Sequence, residues 1–476
     1  MKRWRDFGAL LGLAAILSAC GGGGGGSSGG TATTTPTPAG SGSSSTCSLL
    51  SRQQWAFGVL QEWYLFPETL PASLDPSPYA TVGDYIDALT ATARSQGKDR
   101  YFTYLTSIKE EDAYYNSGST AGFGFRLSTD AAQKRAFVAE VFETAPAFAG
   151  GMDRGDEILA IGDTPGNLRL VSDIIAASGT SAVSDALGPS TAGVTRTLRL
   201  SGPSGTREIT ITKADYSLQP VSNRYGAKII DEGGRKIGYL NLRTFISTAD
   251  SQLQSAFGQF RAAGVTDVIV DLRYNGGGLV ASAQLLGDLL GRARFSSDVQ
   301  NRTVYRPEKS SNNETRFFKS QAQSIAPMRI AFIGTGATAS ASELVINSQI
   351  PYYQQNMALV GANTYGKPVG QIAIDKSQCD DRLRVIAFAT QNASGGGAYY
   401  TGLAGTVPVT CQAGDDFNHP LGDPQEASTR QALDFIEGKS CTAIPTGQAG
   451  QALASKRQLL APPRPNTAQR EVPGLF

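Results

Sequence analysis

The feature that most constrains the fold is an alternation of short apolar strands and helix-sized segments in the second half of the chain. Apolar strands are predicted over residues 236–242, 268–272 and 329–333, and each is followed by a segment with the apolar spacing of a helix. Parallel strands need a long crossover between them, which is usually a helix. The pattern therefore predicts an α/β domain with a largely parallel sheet, which we place over residues 216–440.

The chain of 476 residues exceeds one ordinary core, so a multi-domain protein is expected. Residues 47–117 have mostly helical spacing and predict an N-terminal helical domain. Residues 118–215 contain short alternating runs and glycine turns, which predict a β domain. Residues 441–476 are rich in Ala, Gln and Pro, and a loose C-terminal tail is predicted there.

The N-terminus is typical of an export signal over residues 1–19. Basic residues precede an apolar stretch over 8–17 that is too short to span a bilayer. The sequence Leu17-Ser18-Ala19-Cys20 resembles a bacterial lipobox, which implies cleavage before Cys20 and lipidation of its thiol. An ordinary secretory signal is the alternative. Residues 20–46 read as a flexible Gly/Ser/Thr-rich tether, and the glycine after Cys20 resembles lipoproteins sent to the outer membrane. We therefore expect a periplasmic, lipid-anchored protein.

Export implies an oxidising compartment, in which the remaining cysteines can form disulfides. Four cysteines follow Cys20 and allow three pairings. Cys379 with Cys411 is the preferred pair, because both flank a predicted β segment. Cys47 would then pair with Cys441 and join the start of the fold to its end. Free thiols are the alternative, and the spacings match no zinc pattern.

Charge and histidine content argue against two classes of function. The 42 basic and 41 acidic side chains nearly balance, and nucleic acid is excluded as the main partner because phosphate binding usually needs a basic face. The single histidine, His419, lies in a turn-like Asn-His-Pro setting and is predicted to be structural. A Ser-His-Asp hydrolase would have to use that residue, whereas a serine-lysine pair needs no histidine.

Ser340 lies between an apolar strand and a predicted helix, where helix N–H groups can stabilise a developing oxyanion. Glu343, three residues later, fits a capping box with Ser340, so a plain helix start is the competing interpretation. Ser342 is an alternative nucleophile.

Lys367 follows Ser340 by 27 residues and could act as its base. A surface position is the usual fate of lysine, but burial can lower a lysine pKa to roughly 5–7, which leaves a neutral amine. Gln371 could accept a hydrogen bond from that amine and orient it without adding charge. The glycines at 276–278 allow close backbone approach to a substrate, or they form a plain turn. Asp271 and Arg273, just before them, are predicted to be structural.

The β domain resembles a PDZ domain. Phe123, Gly124 and Phe125 match the carboxylate-binding loop, and the run Gly-Asp-Glu-Ile-Leu-Ala-Ile over 155–161 matches a later strand. The resemblance implies that a peptide C-terminus binds as an added strand, with its carboxylate held by backbone N–H groups. A structural β domain that binds nothing is the alternative.

Three blocks in order resemble the carboxyl-terminal processing (tail-specific) proteases, which are serine endopeptidases with a Ser-Lys dyad and an embedded PDZ domain. The blocks are Asp-Leu-Arg-Tyr-Asn-Gly-Gly-Gly at 271–278, Ser-Ala-Ser-Glu at 340–343, and Gly-Lys at 366–367 with Gln371. The resemblance implies a ClpP/crotonase-like core. Departures are Pro368 and Gly370, and residues 350–355 are expected to lengthen a loop.

The same resemblance implies a role for each residue of the site. Ser340 would be the nucleophile, Lys367 the general base and Gln371 the residue that orients the lysine. The oxyanion hole would use the N–H of Ala341 and that of Gly277, or of Gly276.

We therefore predict a periplasmic serine endopeptidase that recognises protein C-termini and needs no metal, nucleotide or other cofactor. The alternatives are a non-catalytic PDZ scaffold that binds peptides, and an esterase or amidase that uses the same dyad. An activating partner and a homo-oligomer stay open.

Overall fold

The computed structural model describes residues 45–203, 205–446 and 457–476. The predicted export signal, the predicted lipidation site Cys20 and nearly all of the tether lie outside the described residues. Within the described ranges, none of the helices combines the length and apolar character that a membrane crossing requires.

The described ranges contain helices and strands throughout. The α-helices are α1 Leu49–Trp63, α2 Val82–Leu89, α3 Ala91–Ser95, α4 Ile108–Ser117, α5 Pro146–Ala149, α6 Val171–Ser178, α7 Ser181–Leu187, α8 Ala249–Ala262, α9 Val280–Leu289, α10 Ala341–Tyr353, α11 Ala427–Ile436 and α12 Thr467–Glu471. The strands are β1 Tyr104–Ser107, β2 Ser119–Gly122, β3 Phe125–Asp130, β4 Arg135–Val141, β5 Glu157–Gly162, β6 Arg169–Leu170, β7 Thr195–Gly202, β8 Gly205–Thr212, β9 Ala214–Ser217, β10 Ala227–Glu232, β11 Arg235–Asn241, β12 Asp267–Asp271, β13 Val299–Tyr305, β14 Glu314–Phe317, β15 Arg329–Gly334, β16 Met357–Gly361, β17 Val369–Lys376, β18 Asp381–Gln391, β19 Thr410–Gln412 and β20 Gln458–Leu459.

One sheet has the strand order β10-β11-β12-β15-β16-β19, and all its pairs except β10 with β11 are parallel. The inner strands β12, β15 and β16 are buried almost throughout, as expected of a parallel sheet covered by helices on each side. In β12, Val268 and Val270 join the apolar cluster that contains α8, α9 and α10 residues, whereas Ile269 joins the cluster of α11. Because β12 and β15 are parallel neighbours, the loops that follow them lie at the same edge of the sheet.

An antiparallel sheet of β1, β13, β14, β17 and β18 adjoins this edge. Its strands β17 and β18 share a buried apolar cluster with α1 and α2, to which Leu60, Ile86 and Val385 contribute. The N-terminal helices α1 and α2 therefore pack against the sheet that contains β17, the strand that follows β16 in the chain.

The β domain is an antiparallel sheet with the strand order β20-β3-β4-β5-β7-β8, with β6 paired to β5. The strands β2 and β9, which enter and leave it, pair with each other. The predicted mixed α/β fold is confirmed at this level, and the domain boundaries remain predictions.

One local prediction near α10 is wrong. Residues 350–353 lie in the last turn of α10, which passes through Pro351, and do not lengthen a loop. The side chain of Tyr353 is buried and its hydroxyl donates to the Leu290 carbonyl at 3.2 Å, so tertiary packing extends the helix.

The preferred disulfide pairing is also wrong. Cys47 bonds to Cys379, and Cys411 bonds to Cys441. Helix α1 packs along β18, which brings Cys47 to the turn just before that strand. Strand β19 contains Cys411, and α11 packs on it and leads the chain back to Cys441. The tertiary fold brings each pair of cysteines together, and their spacing along the chain does not predict which cysteines pair.

The prediction of a loose tail is wrong for residues 457–476. Strand β20 pairs with β3, and α12 follows it. Val472, Leu475 and Phe476 are almost fully buried. The composition of 441–476 predicts disorder. However, Phe476 packs in the core of the β domain, and Val472 and Leu475 pack in a second apolar cluster with Tyr114 of α4.

Candidate active site

Ser340 lies in the turn between β15 and α10, with a positive φ of 54° that is unusual for a residue with a side chain. Hydrogen bonds to the loop after β12 fasten this turn just before Ser340. The Ala339 N–H donates to the Asn275 carbonyl at 3.0 Å, and the Thr338 hydroxyl donates to the Leu272 carbonyl at 2.8 Å. A strained conformation of this kind persists because its surroundings determine it.

The two serines of the segment are placed differently. Ser342 is fully buried and its hydroxyl donates to the Asn275 carbonyl at 3.1 Å. Ser340 is only half-buried. A substrate can therefore approach Ser340 more readily than Ser342, the alternative nucleophile of the sequence analysis.

Gly277 lies directly against the candidate nucleophile. A Cβ atom on Gly277 would stand 2.8 Å from the Ser340 Cβ, and its φ of 123° also favours glycine. Both glycine N–H groups predicted for the oxyanion hole are occupied, because that of Gly277 donates to Asn275 Oδ1 at 2.9 Å and that of Gly276 to the Glu471 carbonyl at 2.9 Å. Ala341 is the first residue of α10, where N–H groups have no partner within the helix.

Lys367 follows β16 and begins the approach to β17. Its Nζ donates to Gln371 Oε1 at 3.2 Å, which is the predicted contact, and lies 5.1 Å from the centre of the Phe102 ring. Burial lowers the pKa of the Lys367 amine, and the Glu471 carboxylate opposes this by raising it. Among the described residues, no hydrogen bond joins Lys367 to Ser340.

Gln371 is held by backbone as well as by the lysine. It stands at a β-bulge where β17 meets β18, and its Nε2 donates to the Phe102 carbonyl. The bond to a carbonyl identifies Nε2 as the nitrogen, so Oε1 is the atom left to accept from the lysine.

Glu343 connects the two loops. Its carboxylate is fully buried and accepts four hydrogen bonds, from the N–H groups of Ser340 (3.1 Å), Gly366 (2.7 Å) and Lys367 (2.7 Å) and from the Thr364 hydroxyl (2.6 Å). Burial raises the pKa of this carboxyl, and the four donors oppose the rise. The sequence predicts only the capping box with Ser340, which is present at the start of α10. The bonds to Thr364, Gly366 and Lys367 have no local sequence signal.

The N-terminal region also contributes to the lysine loop, which the sequence does not indicate. Arg100 Nη2 donates to the carbonyls of Tyr365 at 2.6 Å and Gly366 at 2.7 Å. Phe102 covers the Lys367 amine and anchors Gln371. The segment between α3 and β1 therefore shapes the environment of the lysine.

Asp271 and Arg273 form a buried network beneath the glycine loop. Arg273 contacts Asp271 at 2.9 Å and Glu426 at 2.8 Å, and the Tyr239 hydroxyl donates to Asp271. The network binds the end of β12 to α11 and contains none of the reacting atoms.

His419 lies apart from the serine and the lysine. Its Nδ1 is 2.6 Å from Asp416 Oδ2, and this hydrogen bond raises the pKa of the imidazole. In the three described ranges, no group of three or more His, Cys, Asp or Glu side chains is arranged to hold a metal ion.

The PDZ-like loop residues lie at the start of β3, whose first residue is Phe125. Phe123 and Phe125 are fully buried, and their rings stack at 5.9 Å. Gly124 has a φ of 81°, and an added Cβ would overlap Ala145 at 1.9 Å. The N–H of Gly124 donates to the Phe476 carbonyl at 2.7 Å. The rings therefore face the core, and the backbone supplies the outward contacts.

Comparison with known proteins identifies the class. Residues 236–408 match the model of peptidase family S41. The chain is 26% identical over 275 residues to the chloroplastic C-terminal processing peptidase of Tetradesmus obliquus, covering 55% of this chain and 54% of the relative. It is 27% identical over 314 residues to the carboxyl-terminal-processing protease of Picosynechococcus sp. (strain ATCC 27264 / PCC 7002 / PR-6), covering 64% and 68%.

The aligned parts span about half to two thirds of these relatives' lengths. Carboxyl-terminal processing proteases are homologues of this chain. A crystal structure of a candidate S41 protease from Bacteroides fragilis NCTC 9343 has the same fold. It superposes with a TM-score of 0.64 at 22% identity, and the match covers 81% of this chain and 97% of that one.

Proposed function

We propose that this protein is a serine endopeptidase of the carboxyl-terminal processing type, in which Ser340 is the nucleophile and Lys367 the general base. The observation that carries the proposal is the buried Glu343 carboxylate, which binds the backbone N–H groups of both residues. Through this one group, the turn of a half-exposed serine and the loop of a desolvated lysine are fixed to each other.

The proposed chemistry begins with a neutral Lys367 amine. Nζ takes the Ser340 hydroxyl proton as Oγ attacks the carbonyl carbon of the scissile peptide bond. The resulting ammonium then gives this proton to the leaving amine, and an acyl-enzyme remains on Ser340. In the second half, Nζ deprotonates a water that hydrolyses the ester, which restores the serine.

Gln371 suits this cycle because it accepts from the lysine without a charge. A carboxylate at the same position would stabilise the ammonium and oppose deprotonation. In the structure the amine is bonded to Gln371 and not to Ser340, so the amine and the serine hydroxyl must come into hydrogen-bond contact before proton transfer.

The oxyanion requires backbone donors. The N–H of Ala341 at the start of α10 is one, and a glycine of the 276–278 loop supplies the other. Gly276 can serve only after it leaves the Glu471 carbonyl, and Gly277 only after it leaves Asn275 Oδ1. The described arrangement is therefore a resting form under this proposal.

Substrate and location belong to the proposal too. The β domain would act as a PDZ domain that captures protein C-termini, and lipidated Cys20 would anchor the enzyme in the periplasm, at the outer membrane. A non-catalytic scaffold is the alternative, and it predicts peptide binding without cleavage.

The test is cleavage of an unstructured protein such as casein by purified variants. We expect Ser340→Ala and Lys367→Ala each to abolish cleavage, with unchanged thermal unfolding. The exposed residues Ser297 and Lys319 give matched controls, because Ser297→Ala and Lys319→Ala remove the same groups elsewhere. Retained cleavage in either site variant would contradict the assignment.

A further inference from the structure

The edge of β3 carries an unexpected occupant, residues 474–476 of the same chain. The Leu127 N–H donates to the Gly474 carbonyl at 2.8 Å, and the Phe476 N–H donates to the Phe125 carbonyl at 3.0 Å. The Gly124 N–H completes the row by donating to the Phe476 carbonyl at 2.7 Å. Residues 474–476 thus lie along β3 as an added antiparallel strand.

Side chains reinforce this pairing. Phe476 is 2% exposed, and its ring centre lies 6.5 Å from that of Phe125. It belongs to the same buried apolar cluster as Ile174 of α6 and Leu198 of β7. An extended segment on a sheet edge, with alternate side chains in apolar pockets, is how peptides bind by strand addition.

The residues just before this strand contact the candidate active site. The Gly276 N–H donates to the Glu471 carbonyl at 2.9 Å, and a Cβ on Gly276 would stand 2.5 Å from the Arg470 carbonyl oxygen. Gly276 adjoins Gly277, which touches Ser340. The end of α12 therefore covers the glycine loop from which an oxyanion donor would come.

Other contacts hold α12 in this place. The Tyr115 hydroxyl donates to Glu471 Oε1 at 3.1 Å, and the Arg470 guanidinium stacks 3.8 Å from the centre of the Tyr104 ring. Gln469 Nε2 donates to the Leu475 carbonyl at 3.0 Å, which couples the helix to the added strand. Glu471 also raises the pKa of the Lys367 amine, so this carboxylate favours the charged form of the lysine.

We propose that residues 466–476 are an intramolecular ligand of the β3 edge, and that they hold the peptidase region closed until a polypeptide with a similar apolar end displaces them. Occupancy of the edge and closure of the site are coupled, since one short segment does both. The inhibitory part rests on the proposed peptidase function, whereas the occupancy of the edge does not.

Peptide binding tests the occupancy without any need for catalysis. The full chain with Ser340→Ala is titrated into a fluorescein-labelled Arg-Glu-Val-Pro-Gly-Leu-Phe peptide, which copies residues 470–476. Adding Phe476→Ala or Gly474→Val weakens the intramolecular ligand, and we expect the peptide Kd to fall at least about tenfold, because a larger fraction of the protein has a free edge. Pro463→Ala, at an exposed position just before this segment, is the control. Equal Kd values in all four proteins would overturn the proposal.

Hydrogen exchange on the unaltered chain gives a second readout that needs no variant. The amides of Gly124 and Leu127 should exchange slowly, and an excess of the unlabelled peptide should leave them protected. Exchange of both amides at the rate of open chain would overturn the proposal.

The inhibitory part is tested with Ser340 intact. We expect Phe476→Ala to raise kcat/KM for casein at least about fivefold, since less of the enzyme is closed. Tighter peptide binding with an unchanged kcat/KM would overturn the inhibition and support only the occupancy. Absence of cleavage by every form would count against the proposed peptidase function, while the peptide titration would still decide the occupancy.

Discussion

Substitution of Glu343 by Gln tests whether one buried carboxylate holds the serine turn and the lysine loop together. The carboxylate accepts two donors on each oxygen: the Thr364 hydroxyl and the Gly366 N–H on Oε1, and the N–H groups of Ser340 and Lys367 on Oε2. A glutamine keeps only one oxygen, and its NH₂ group would face the other two donors. Each buried donor left without an acceptor costs about 1–3 kcal/mol, so Glu343→Gln should lower the free energy of unfolding by about 2–6 kcal/mol.

The same change should affect catalysis in the part that remains folded. Loss of either pair of bonds releases one of the two loops, and a misplacement of about 1 Å between reacting groups can reduce the rate about 100-fold. Urea denaturation gives the unfolding free energy, and kcat/KM for casein is measured well below the unfolding transition. The exposed Glu314 offers the same substitution as a control, with an expected change of about 0.5 kcal/mol or less. If Glu343→Gln and Glu314→Gln behaved alike in both assays, the assigned role of Glu343 would be refuted.

Two further predictions concern charge and covalent links. Glu471→Gln removes a carboxylate that raises the pKa of Lys367. Because the base must be neutral, the rise of kcat/KM with pH should move to lower pH in the absence of added peptide. An unmoved or oppositely moved profile would contradict this, and the exposed Glu314→Gln is again the control. Loss of the Cys47–Cys379 bond, which closes a separation of 332 residues, should destabilise the fold by about 6 kcal/mol in the chain-entropy model, against about 4 kcal/mol for Cys411–Cys441 with a separation of 30. Paired Cys→Ser variants in urea unfolding test that order. Peptide mapping without reduction tests the connectivity, and a Cys379–Cys411 fragment would contradict the assigned pairing.

Comparison of Ser340 with Glu343 shows which contacts of the site local sequence can predict and which it cannot. The junction of a strand with a helix and short motifs are enough to predict Ser340, Lys367 and Gln371 as site residues. The contact between Lys367 and Gln371 joins residues only four positions apart. The capping box of Ser340 and Glu343 is equally local. The reach of Glu343 across to Gly366 and Lys367 depends on β15 and β16 lying side by side, which a capping motif does not reveal.

The sequence by itself determined the three apolar strands with the helices after them, the mixed α/β class and the residues that could react, because apolar periodicity, turn residues and motif spacing act over a few positions. Tertiary structure alone decided which cysteines pair, how Arg100 and Phe102 shape the surroundings of Lys367, and where residues 457–476 lie. These features join parts of the chain separated by tens to hundreds of residues. Their partners are selected by the packing of whole sheets and helices, and composition therefore misread a segment whose apolar end is buried against β3.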